Sequence, residues 1–93
     1  MNNLEQIVAN NLTELRKEKK WTQAELAEKI NYSDKSVSKW ERGEALPDLK
    51  VLLQMAELFG VNLEYFTTEN AEKFSEMGSV FLSQQIQAQS ISL

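Results

Sequence analysis

The chain contains no cysteine and no histidine. The first absence removes disulfides and thiolate metal sites and points to a reducing compartment. The second removes the side chain used most often as a general base and as a metal ligand. There is no glycine-rich phosphate loop, so any chemistry would fall to carboxylates and hydroxyls, and no spacing gathers these into a pocket. The expectation is a protein with no catalytic residues, no metal and no cofactor. No apolar run approaches the length of a membrane span, and the opening residues MNNLEQ lack the basic-then-apolar pattern of a secretory signal. This predicts a cytoplasmic chain with no membrane partner. Its 93 residues suffice for one small domain around a single core, and no internal repeat is visible.

The charge is unevenly distributed. The net formal charge is −4, yet residues 16–42 hold eight basic and five acidic side chains, a local excess of +3. A basic patch on an acidic body suits docking one face on a nucleic acid, because the nearby field matters more than the total.

Residues 22–43, TQAELAEKINYSDKSVSKWERG, organise the rest. Thr22 and Glu25 form the T-x-x-E capping box that opens a helix. Leu26 and Ile30 set an apolar stripe four residues apart, and the small Ala27 admits a close neighbour. Asn31 stands where a residue tolerant of positive φ ends that helix. Ser33 caps the next one, and Asp34 in its first turn suits the positive end of the dipole. Val37 and Trp40 supply its buried side, and Gly43 stops it. Lys35, Ser38, Lys39 and Arg42 fall on the opposite side. Two short helices joined by a tight turn, the second with a polar and basic face, have helix-turn-helix geometry.

The flanking segments read as scaffold. A first helix over residues 3–19 carries Leu4, Ile7, Val8, Leu12 and Leu15 at helical period, with Asn11 interrupting the stripe. Lys17, Lys19 and Lys20 at its end suit the dipole as well as they suit a phosphate. Trp21 reads as a cover over the core. Pro47 and Asp48 open a fourth helix whose buried side is expected at Leu49, Leu52, Leu53, Ala56 and Phe59, with Gly60 as its stop. Asn62 is expected to cap a short fifth helix, LEYF, in which Leu63 and Phe66 close the core.

The segments TQAELAEKI, SVSKWERG and LPDLKVLLQMAELFGVNLEYF, with the Ser33 cap between the first two, resemble the Cro/C1-type (XRE-family) helix-turn-helix regulators. The resemblance covers roughly residues 4–67. It implies an all-α, five-helix, lambda-repressor-like DNA-binding domain over residues 1–67, followed by a tail over residues 68–93. By that resemblance Arg16 forms a structural salt bridge with Glu41, tying the first helix to the third. Gln23 contacts the DNA backbone and braces the third helix. Positions facing base edges fall on Asp34, Lys35 and Lys39, with Ser38 as a fourth. Lysine donates to guanine O6 and N7, and aspartate accepts from cytosine N4. Thr22, Ser33, Ser36 and Arg42 complete the DNA-contacting set, Ser33 and Ser36 by hydroxyl or backbone amide. Glu44 stands where a basic or neutral residue would help a backbone contact, and takes no DNA role.

The resemblance also implies a homodimer, with Tyr65 and Leu58 as candidate contacts near the last helix. Its implied function is repression at a palindromic double-stranded operator, with two third helices in successive major grooves about 34 Å apart. In the tail, Phe74, Met77 and Phe81 suggest an amphipathic helix from about residue 70 into the 80s, with Gly78 a weak spot. Three fates stay open for it: an arm to a second subunit, packing on its own domain, or a disordered end. A second function class is a protein-binding module, such as the antidote of a toxin–antitoxin pair, whose tail folds on a protein partner and which also binds DNA.

Overall fold

In a computed structural model of the protein, the described residues are 3–69. They form α1 (Leu4–Glu18), α2 (Gln23–Ile30), α3 (Asp34–Glu41), α4 (Leu49–Phe59) and a closing 3-10 helix, Leu63–Thr67. No strand occurs among these residues, so the architecture is all-α with five helical elements. The expected tail helix lies outside the described residues. Among them, no helix is long and apolar enough to cross a membrane, and no cluster of three or more acidic side chains is placed to hold a metal.

Local capping chemistry sets the helix starts. Asn3 accepts from the Gln6 amide at 2.8 Å and Asp48 from the Val51 amide at 2.9 Å. At α2 the box is reciprocal: the Glu25 amide donates to Thr22 Oγ1 at 3.0 Å, and the Thr22 amide donates to Glu25 Oε1 at 2.8 Å. Ser33 Oγ accepts from the Ser36 amide at 3.1 Å to open α3. Each such cap satisfies an amide that the helix itself leaves without a partner, for about 1 kcal/mol. Asn31 ends α2 in the left-handed region at φ 63°. Gly43 follows α3 at φ +74°, where an added Cβ would stand 3.0 Å from Gln6 Oε1, so glycine there serves both the turn and the approach of α1.

The core gathers Leu12 and Leu15 of α1, Leu26, Ala27 and Ile30 of α2, and Val37 and Trp40 of α3. Val51, Met55, Ala56 and Phe59 of α4 and Phe66 of the closing helix complete it. Trp21 packs against it, its ring 5.6 Å from that of Phe59. Fully burying each large aliphatic or Phe side chain is worth about 1.5–3 kcal/mol.

Three expectations require correction. The buried side of α4 runs through Val51, Met55, Ala56 and Phe59, whereas Leu49 and Leu53 are 61% and 49% exposed. Two helical stripes fit that segment, and the direction from which α2 and the closing helix approach selects the one carrying Met55. The fifth element is a 3-10 helix, and Asn62 precedes it without a side-chain capping bond. Phe66 fills the core while Leu63 remains half-buried outside it. Asn11 does interrupt the apolar stripe of α1, as expected, yet it is buried with the core side of that helix. It is 1% exposed, and its side-chain amide donates to the carbonyls of Tyr65, Phe66 and Thr68 at 3.0, 2.9 and 3.0 Å.

Candidate nucleic-acid interface

The paired α2 and α3 form the candidate surface. Their inner seam is apolar: Leu26, Ala27 and Ile30 from one helix, Val37 and Trp40 from the other. The Tyr32 ring in the connecting turn sits 5.4 Å from Trp40 and covers the end of the seam. With this side of α3 locked inward, the helical period turns Asp34, Ser38 and Arg42, and beside them Lys35 and Lys39, to the other side. Asp34, Lys35, Lys39 and Arg42 are exposed, while Ser38 is half-buried. Thr22 and Ser33, the caps of α2 and α3, are exposed, whereas Ser36 is half-buried with its Oγ accepting from Ser33 Oγ at 3.1 Å.

What holds α3 at its angle is a buried carboxylate at its last residue. Arg16 Nε and Nη2 donate to the two oxygens of Glu41 at 2.7 and 2.9 Å, and Arg16 Nη1 donates to the Trp21 carbonyl at 2.8 Å. Gln23 Nε2 adds a bond to Glu41 Oε1 at 3.0 Å. The two charged side chains are only 13% and 5% exposed. A carboxylate at the negative end of a helix is unfavourable in isolation, and burial by itself would push the Glu41 carboxyl up. The hydrogen bonds from Arg16 and Gln23, the Arg16 charge and a bond from Thr13 outweigh it and hold the group below the ordinary carboxylate range. Glu41 thus joins α1, the start of α2 and the end of α3. Gln23, half-buried at the first position of α2, commits an N–H to that junction.

On the outer side the Arg42 guanidinium forks onto Glu44, Nε to Oε2 at 2.8 Å and Nη2 to Oε1 at 3.1 Å, while Nη1 donates to Ser38 Oγ. Both ionic partners are about half exposed, at 53% and 54%. The pairing spans Gly43 at a separation of two residues, a spacing that lies outside the three-and-four rule for helix faces and so leaves no trace in the sequence pattern. Of the basic residues in the 16–42 segment, Arg16 is committed to Glu41, and Lys29 Nζ stands 4.6 Å over the Trp21 ring. Lys35 and Lys39 on α3 and Lys17, Lys19 and Lys20 at the end of α1 remain exposed. Tyr65 and Leu58 are half-buried against the protein's own core.

A family model described as helix-turn-helix matches residues 12–66. The chain is 44% identical over 48 residues to multiprotein-bridging factor 1c of Arabidopsis thaliana, covering 52% of this chain and 32% of that protein. It is 37% identical over 54 residues to the HTH-type transcriptional regulator ImmR of Bacillus subtilis (strain 168), covering 58% of this chain and 42% of the relative. The chain spans about a third to a half of the length of the curated relatives it matches. Among solved structures, a hypothetical transcription factor from Neisseria superposes with a TM-score of 0.73 at 27% identity, over 78% of this chain and 84% of that one. Hydroxypropylphosphonic acid epoxidase from S. wedmorenis gives 0.63 at 26% identity, over 69% of this chain and only 34% of the epoxidase.

Proposed function

Because the chain belongs to the helix-turn-helix family, Cro/C1 type, we propose that it is a sequence-specific double-stranded DNA-binding regulator whose reading element is α3. The observation that carries this is the two-sidedness of α3: Val37 and Trp40 are locked in the core while Lys35 and Lys39 face solvent one turn apart. In this reading Lys35 and Lys39 donate to guanine edges in the major groove, with Asp34 and Ser38 beside them. Thr22, Gln23, Ser33, Ser36 and Arg42 meet phosphates and set the register. Residues 1–67 act as the DNA-binding domain and residues 68–93 as an accessory tail. The protein acts in the cytoplasm and without catalysis, by occupying a promoter and excluding polymerase.

We further read the active form as a homodimer on a palindromic operator, its half-sites about one helical turn (~34 Å) apart. Exposed Leu49 and Leu53, four residues apart on α4, offer apolar area for such an assembly, more than half-buried Tyr65 and Leu58 do. Selection from a random duplex pool tests the reading, followed by anisotropy titration of the winner and a scrambled duplex. An enriched palindrome bound about 10³-fold or more above the scrambled duplex is the expected result. Weak binding without enrichment, abolished by salt, would reduce the interface to a basic patch.

A further inference from the structure

We propose that Glu44 is a specificity-determining residue that acts through Arg42, holding its guanidinium against the protein until a phosphate in fixed register displaces the carboxylate. The inference rests on the DNA-binding reading of α3 and extends it to a residue to which the sequence pattern assigns no role. The geometry is a closed fork. Two guanidinium nitrogens are engaged by Glu44 at 2.8 and 3.1 Å and the third by Ser38, so all of them are held within the protein. The fork lies at the end of α3, one turn beyond Lys39. A phosphate approaching Arg42 therefore meets a pair whose charges cancel, with the Glu44 carboxylate already on the guanidinium. The Arg42 hydrogen bonds and charge, with Lys39 nearby, hold the Glu44 carboxyl below its ordinary range, so it stays ionised at neutral pH.

The consequence differs between the two kinds of complex. On an arbitrary duplex nothing fixes the phosphate relative to α3, and Arg42 stays on Glu44. On the selected site Lys35 and Lys39 seat the helix, a phosphate is held beside Arg42, and the guanidinium exchanges its partner. Glu44 thus withholds one cation from non-specific binding only.

Salt dependence separates this from simple charge repulsion. For each phosphate neutralised, the logarithm of affinity falls against the logarithm of salt with a slope of about −0.9. E44Q should steepen the slope on a scrambled duplex by about 0.9 and leave the slope on the selected duplex unchanged. Between 50 and 200 mM salt, that makes non-specific binding about 3.5-fold more salt-sensitive. In an R42Q background the same substitution should leave the scrambled-duplex slope where it was. E57Q, which removes an exposed acidic charge from α4, should leave both slopes unchanged. Equal steepening on both duplexes, or steepening that survives R42Q, would overturn the mechanism and leave Glu44 as a diffuse charge. An unchanged E44Q slope in a protein whose wild type prefers its selected site overturns the role of Glu44 alone. Wild-type protein with no duplex preference overturns the reading of α3, and this inference with it. Thermal melts of each variant guard against a folding effect, which is not expected at so exposed a pair.

Discussion

Asn11 makes the sharpest test of how the fold is closed. It lies mid-α1, 1% exposed, and its side-chain amide supplies two N–H groups to three carbonyls between residues 65 and 68. These carbonyls belong to or follow the 3-10 helix that carries Phe66, a fully buried core residue. Asn11→Ala removes the donors and leaves the carbonyls behind. The bond to Phe66 is buried and the other two are partly buried, so water can reach some of the orphaned oxygens. One buried acceptor left unsatisfied costs about 1–3 kcal/mol, and the others add roughly 1 kcal/mol together. The expected loss is about 2–4 kcal/mol, a fall in Tm of roughly 10–30 °C for a domain of this size.

Asn11→Asp sharpens the test by changing sign rather than size. At pH 7 it sets a carboxylate against three carbonyl oxygens in a buried site, so it should destabilise more than alanine does. Burial and the facing carbonyls raise the folded-state pKa of such a group above its unfolded value. A raised carboxyl carries its full penalty above the folded pKa, and the penalty shrinks as pH falls from the folded pKa and is gone below the unfolded one. The protonated acid can also donate. The stability gap between the aspartate and alanine variants should therefore shrink from pH 7 to pH 4, measured by urea denaturation followed by circular dichroism. An alanine variant within about 0.5 kcal/mol of wild type, or an aspartate variant no worse than alanine at pH 7, would refute the role assigned to this side chain.

The other predictions concern the interface and its support. Glu41→Ala should cost about 2–4 kcal/mol, below the upper end for a buried pair because Arg16 keeps its bond to the Trp21 carbonyl. The Glu41 carboxyl is held below its ordinary range, so its stabilisation is present above the unfolded-state pKa and is lost as pH falls through the folded-state value. Replacement by glutamine should flatten the acid limb of a stability–pH curve, and an unchanged limb would count against the junction. The double variant Lys35→Ala, Lys39→Ala should lose about 1–3 kcal/mol of discrimination per good base contact while melting within about 0.5 kcal/mol of wild type. Retention of the wild-type preference in a repeated duplex selection would remove these residues from the reading face. Met55→Ala should cost about 2–5 kcal/mol and Leu53→Ala less than about 0.5 kcal/mol. Chemical denaturation of the two variants compares the leucine stripe with the stripe that the fold buries.

That last comparison shows where the sequence stops being legible. Caps and stops are local: Thr22 with Glu25, Ser33, Asp48, Asn31 and Gly60 each act within four residues, and residue type and spacing alone identify each of them. The buried face of α4 is not local. Leu49, Leu52, Leu53, Ala56 and Phe59 make a more hydrophobic stripe than Val51, Met55, Ala56 and Phe59, and hydropathy alone prefers the first. Only the position of the neighbouring helices makes Met55 fully buried and leaves Leu53 half in solvent. Asn11 fails the pattern for the same reason, since its partners lie 54 to 57 residues away. The candidate site divides along this line too. Lys35 and Lys39 are legible because their exposure follows from the helical period once Val37 and Trp40 are assigned inward. Their orientation toward a partner depends on Glu41, where Arg16 comes from 25 residues away and Gln23 from 18. The residues proposed to read DNA are thus set by period, while those that aim them are set by tertiary contact. It follows that substitutions at Arg16 or Glu41 should impair binding by misplacing α3, although neither side chain lies on its outer face.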